Sequence, residues 1–245
     1  MRVLYAGDGP ATGAARYLIG VMKYSGIDYT HFSPYHLSGI PSNPAKLSKY
    51  DVIILSDAPA NKLSKRRMRA LERCVKEGMG LGMIGGWDSF TGFDGNYSGT
   101  LVEKILPVLC INEDDRINCS DGLKPIKVKD HPILKDLPWQ HAPTVCGYNR
   151  VLDVKDSETV LAIKPIESFG RDRVESLKLG SFDDPLLVVR DYYEGRTLAF
   201  TTDIGPHWCG GLVDWGKNRI RIGGAEFGYY YKQFLTQMLG WLAKV

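Results

Sequence analysis

The chain has no Cys-x-x-Cys pair, no apolar run approaching the roughly 20 residues of a membrane span, and no excess of one charge sign. Its five cysteines, Cys74, Cys110, Cys119, Cys146 and Cys209, are odd in number and scattered, which argues against a disulfide framework and a zinc ribbon. The 31 basic and 28 acidic residues are well mixed and leave a formal charge of +3, a poor match to a dedicated nucleic-acid binder. Met1 to Ala6 enters a strand pattern without a basic leader or apolar signal region. The expected location is therefore the cytoplasm, with no membrane partner. Nothing in the ligand spacing calls for a metal or a cofactor.

What the sequence does contain is enough apolar material, 44% of 245 residues, to bury roughly 70–75% of the unfolded surface in one large core. Val3 to Ala6 is a short apolar run ended by Gly7-Asp8-Gly9-Pro10, and Thr12 is the expected N-cap of a helix from Gly13 to Tyr24. Ile27 to Phe32 and Asp51 to Ser56 predict two further strands. Ser64 caps a helix to Glu77 with Gly78 as its C′ residue, and Gly80 to Gly85 is a fourth strand. This alternation with short loops requires a parallel, doubly wound sheet covered on both faces. After a short helix, Leu101 to Ile105, strand and turn signals dominate. The domain reading is one α/β unit over 1–245 with a β-rich insertion or extension at about 108–200. Leu186 to Tyr193 and Arg196 to Thr202 form a hairpin around Glu194-Gly195, and Ala225 to Ala243 has helical spacing.

Ligands collect at the carboxyl ends of parallel strands, and two polar, aromatic loops follow strands here. The first is Gly85-Gly86-Trp87-Asp88-Ser89-Phe90. The second runs from Asp203 through His207, Trp208 and Cys209 to Trp215. Asp88 as general base, Ser89 as nucleophile and His207 as proton carrier are the candidate catalytic residues. Asp8, Thr12, Gly86, Trp87, Phe90, Asp203, Trp208 and Trp215 are the candidate ligand-binding residues, because aromatics with a few polar groups line small-molecule pockets. The Gly7–Gly13 loop could also present N–H groups to an anion, as could Lys217, Arg219 and Arg221 near Trp215. The basic cluster Lys62, Lys65, Arg66, Arg67, Arg69 and Arg73 reads as the solvated side of a helix. Gly80, Gly82 and Gly85 satisfy Gly-x-Gly-x-x-Gly, but inside a strand, the wrong context for dinucleotide binding.

The turn GGWDSFTGFDGNYSGT (85–100) followed by Ile105-Leu106-Pro107, the Asp130-His131-Pro132 step and the late TTDIGPHW resemble the class I glutamine amidotransferase-like superfamily, near its trehalose-utilisation-type branch. The resemblance spans nearly the whole chain and implies a flavodoxin-like α/β core, with extra strands in the C-terminal half. Active members place a cysteine in a Gly-x-Cys-x-Gly elbow, with a late His and Glu to activate it. Here the turn holds no cysteine, Cys74 falls in the preceding helix, and no His-x-Glu follows, since position 209 is Cys. Glutaminase chemistry is therefore not expected.

Two readings stand. One is a repurposed domain that binds a small polar ligand or a partner through the two loops. The other is a hydrolase using Asp88, Ser89 and His207. Exposed aromatic loops also suit a contact between copies of the chain, so a homo-oligomer is among the expected partners.

Overall fold

The computed structural model describes residues 1–154, 156–168, 178–181 and 183–245. In chain order the elements begin β1 (Arg2–Gly7), α1 (Arg16–Tyr24), β2 (Asp28–Phe32), α2 (Pro44–Leu47), β3 (Val52–Ser56), α3 (Lys65–Lys76) and β4 (Gly80–Ile84). Then come α4 (Leu101–Ile105), β5 (Val108–Cys110), β6 (Arg116–Lys127), β7 (Val145–Asn149), β8 (Val151–Asp153), β9 (Glu158–Ser168) and β10 (Lys178–Leu179). The chain closes with β11 (Asp184–Tyr192), β12 (Gly195–Phe200), α5 (Pro206–Cys209), β13 (Arg219–Ile222), β14 (Ala225–Gly228) and α6 (Tyr229–Ala243).

One mixed sheet runs in the order β2-β1-β3-β4-β12-β11-β9-β6-β7, with β10 beside β9. The first five strands are parallel and follow the flavodoxin-like order 2-1-3-4-5, with β12 as the fifth. Beyond β12 every pairing is antiparallel, so the β-rich segments extend the same sheet. Residues 169–177 of the expected β-rich stretch lie outside the described residues.

Strand side chains alternate between two faces, and β1, β3 and β4 are apolar on both, whereas the edge strand β2 is only partly buried. Val3, Tyr5, Val52 and Ile54 join one buried cluster with Leu18 and Met22 of α1 and Phe234 and Leu239 of α6. Leu4, Ala6, Ile53 and Leu55 join the other with Leu71 and Val75 of α3 and Val102 of α4. The glycines of β4 have a packing role. A Cβ on Gly80 would stand 2.5 Å from the Leu242 carbonyl, and one on Gly82 would stand 2.7 Å from Ile54 Cδ1. The Gly-x-Gly spacing thus seats α6 against the sheet.

Some boundaries differ from the sequence reading. Helix α1 begins at Arg16, its N-cap is Ala15 without a side-chain cap, and Thr12 lies upstream in an exposed turn. Gly13 N–H donates to the Pro10 carbonyl (2.7 Å) and Ala15 N–H to that of Asp8 (3.1 Å), so backbone turns replace the expected hydroxyl cap. Strand β4 stops at Ile84. Residues 225–228 are strand β14, paired with β13, and α6 starts only at Tyr229. Ser64 does cap α3, accepting from Arg67 N–H, and Gly78 follows with φ 120°. Among the described residues no helix is long and apolar enough to cross a membrane.

Candidate functional site

The strand order reverses between β1 and β3, and at that switch point each strand ends in an aspartate. Asp8 follows β1 with φ 56° and Asp57 follows β3 with φ 45°. Left-handed backbone is rare outside glycine, is tolerated best by Asp and Asn, and clusters at functional positions. Gly7 before Asp8 has no alternative, because a Cβ there would lie 1.5 Å from the Ser56 carbonyl oxygen. Asp203, just past the end of β12, supplies a third carboxyl, which feels the charges of both others.

Asp8 and Asp203 are buried, at 3% and 8% exposure, and Asp57 is half-buried. The Tyr5 hydroxyl donates to Asp8 Oδ2, whereas Asp8 Oδ1 is buried with no partner among the described residues. The Ser56 hydroxyl is also buried without a hydrogen bond of good geometry, although it lies close enough to Asp8 to favour its anion. Burial raises the Asp8 carboxyl to about 6, offset in part by the Ser56 and Tyr5 hydroxyls. Burial, then the Asp8 charge, raises Asp57 to about 7. Asp203 is pushed well above the carboxylate range by burial and by the Asp8 and Asp57 charges. Carboxyls raised in this way keep their protons to higher pH than an ordinary aspartate and, while protonated, can both donate and accept hydrogen bonds.

The turn after β4 is tied to this cluster. Asp57 Oδ1 accepts the Asp88 N–H at 2.8 Å, and the Asp57 N–H donates to Ser89 Oγ at 2.9 Å. A Cβ on Gly86 would stand 2.1 Å from Asp57 Oδ1, so the carboxylate occupies the space a side chain there would need. From behind, Asn149 at the end of β7 accepts the Gly86 N–H (2.8 Å) and donates to the Gly86 carbonyl (3.1 Å) and to Asp115 Oδ1 (2.6 Å). Asp115 in turn accepts the N–H groups of Thr91 (2.8 Å) and Gly92 (2.9 Å). Outside, Trp87 is 48% exposed, and its ring lies 4.5 Å from the Arg116 guanidinium, which also faces Phe93 at 5.2 Å.

The structure brings together Asp8, Asp203 and Gly86 of the expected ligand set and adds Asp57 and Ser56. Asp57 immediately follows the DVIILS strand, so the carboxyl-end rule could have found it. Asn149 and Asp115 come from the antiparallel half and have no local signal. Phe90, Trp208 and Trp215 are corrected from pocket lining to core, with exposures of 0%, 1% and 5%. Trp208 lies on Gly147, where a Cβ would be 2.5 Å away, and its indole N–H donates to Asn118 Oδ1 (2.8 Å); Trp215 packs edge-on to Trp139. Thr12 is exposed. Ser89 is buried with its hydroxyl engaged by Asp57, His207 is exposed, and among the described residues no hydrogen bond joins Ser89 to His207.

The expected anion sites also change. The Gly7–Gly13 loop contributes Asp8 to the acidic cluster, and Arg16 donates to the Thr12 and Gly13 carbonyls. Arg219 pairs with Asp214 and Arg221 with Glu226, so neither is free near Trp215. Cys209 is buried and its thiol is raised well above the usual range, first by burial, which makes it inert. Among the described residues no group of three or more His, Cys, Asp or Glu side chains is arranged to hold a metal ion.

A flavodoxin-order sheet extended by antiparallel strands places the chain among the α/β proteins of doubly wound type. The family profile described as "putative glutamine amidotransferase" matches residues 10–222, and the chain belongs to that GATase1-like family. Among solved structures, a cytoplasmic protein of Salmonella typhimurium superposes with a TM-score of 0.79 at 23% identity, over 99% of each chain. A second cytoplasmic protein, from Salmonella typhimurium LT2, gives 0.78 at 23% identity, again over 99% of each. A putative ThuA-like protein from Bacteroides uniformis gives 0.60 at 15% identity, over 98% of this chain and 90% of that one. These likenesses establish the fold. No curated relative matches the chain.

Proposed function

We propose that this protein is a cytoplasmic amidotransferase-like domain without glutaminase chemistry, and that its carboxyl edge binds a small polar ligand rich in hydrogen-bond donors. The observation that carries the reading is the buried Asp8 Oδ1, which accepts no hydrogen bond of good geometry among the described residues. A buried acceptor left without a donor costs on the order of 1–3 kcal/mol, and a ligand hydroxyl or amine would recover it. Thiolate attack has no candidate at the turn, because residues 85–100 contain no cysteine.

The test is a glutamine-hydrolysis assay together with a thermal-shift panel of polyols, amines and amino acids, run on wild type and Asp8→Asn. Silence in the assay with a ligand shift that Asp8→Asn abolishes supports the reading. Release of ammonia from glutamine, or a shift indifferent to Asp8→Asn, overturns it.

A second reading, hydrolysis by Asp88 and Ser89 with His207, is favoured by one observation: burial raises the Asp88 carboxyl above the ordinary aspartate value, the direction that suits a general base. It requires the Ser89 hydroxyl to leave the Asp57 N–H and turn outward. Turnover of simple esters or amides lost in both Ser89→Ala and His207→Ala would establish it.

A further inference from the structure

We propose that a second cleft, on the far side of the same turn, is a binding site for a small amphipathic anion: a molecule with an apolar body and a carboxylate, sulfonate or phosphate end. The cleft has a volume of about 580 Å³ and lies between the first turns of α3 and the segment Asn96–Leu101. Small-molecule sites have volumes on the order of 300–1,000 Å³. Its floor is apolar and buried, made by Ala60, Leu63 and Met68, and Leu101 closes one side. Its walls are tied to each other: the Ala60 N–H donates to the Gly95 carbonyl at 2.8 Å, and the Tyr97 hydroxyl donates to the Ala58 carbonyl. The space is therefore preformed, and none of the three clustered aspartates lines it.

Charge selects the ligand's polar end. Helix α3 opens Lys65-Arg66-Arg67 with Arg69 just after and no acidic residue in its first turn, although the positive end of the helix dipole disfavours cations there. Arg67 is spent on the carbonyls of Ile40 and Ser38, and Arg73 on Glu77. Lys65 and Arg69, which line the cleft, make no ion pair among the described residues. Asp94 does not line the cleft but accepts from two residues that do, Asn61 (3.5 Å) and Asn96 (3.0 Å), so the ligand's anionic end belongs by Lys65 and Arg69. An anion there relieves the repulsion among the cations and meets the helix N-terminus. Its apolar part covers Leu63, Met68 and Leu101.

Calorimetric titration of the full chain with octanoate, octanol and acetate tests this. Octanoate is expected to bind, with octanol and acetate each weaker by about tenfold or more, and the double variant Lys65→Glu/Arg69→Glu to lose about tenfold in octanoate affinity. Asn61→Trp, an exposed change at the rim, is expected to block binding while leaving the thermal midpoint unchanged. Absence of octanoate binding at millimolar concentration, equal binding of octanol, or full affinity in either variant would overturn the proposal.

Discussion

The two loops at the carboxyl edge resemble each other in composition, both mixing glycine, aspartate and tryptophan, yet they are built in opposite ways. The turn after β4 is held by polar groups. Asp57, Asn149 and Asp115 satisfy its N–H groups from behind, and Trp87 remains outside over Arg116. The loop after β12 is held by its aromatics, because Trp208 and Trp215 are driven into the core and only Asp203 faces the acidic cluster. A tryptophan beside glycine and histidine thus says little about ligand contact. What its ring meets across the sheet decides the matter.

The sharpest way to break this contrast is to truncate one tryptophan from each loop. Trp208→Ala should cost roughly 3–5 kcal/mol in urea unfolding, since it empties a filled site on Gly147. Trp87→Ala should cost under about 1 kcal/mol, because half the ring is already in water. Comparable losses would erase the distinction. Next in size, Asn149→Ala should destabilise by about 2–4 kcal/mol, leaving both polar groups of Gly86 unpaired and Asp115 without its side-chain donor.

A smaller effect lies in the pH dependence. Asp8 and Asp57 are raised to about 6 and about 7 when folded, so the folded chain keeps protons that the unfolded chain releases from about pH 4 upward. Below pH 4 both states are protonated and these groups are neutral to stability. As pH climbs through that window stability falls, and above about pH 7 the full cost is present. The advantage of the Asp8→Asn/Asp57→Asn variant over wild type should therefore grow between pH 4 and 8, read by denaturation at each pH. A constant difference would contradict the shifts. The smallest expected effect is that of His207→Ala. This exposed residue has no hydrogen bond to Ser89, so the change should alter the thermal midpoint negligibly, within about 0.5 kcal/mol.

The parallel half of the fold was legible in the sequence because its central strands are apolar on both faces and end in turn chemistry, as at Gly7-Asp8. Asp8, Gly86 and Asp203 follow strand ends for the same reason, which is why they stood out as candidates. Trp208, Trp215 and Phe90 were misread because their burial depends on Gly147, Trp139 and other distant partners that no window along the chain contains. Asn149 was hidden for a related reason. It supports the turn from a strand more than sixty residues away, brought alongside only by the antiparallel extension of the sheet. The boundary at Tyr229 escaped because Phe227 fits helical spacing while actually pairing with Ile220 across β13 and β14.

The most direct test of the acidic carboxyl edge is a carbon-13 NMR titration of the aspartate side chains, assigned with Asp8→Asn and Asp57→Asn. Midpoints of about 6 for Asp8 and about 7 for Asp57 are expected, with the Asp57 midpoint falling when Asp8 is replaced. Midpoints for both near the ordinary value of about 4, with that of Asp57 unmoved by Asp8→Asn, would show separate, solvated carboxylates and contradict this expectation.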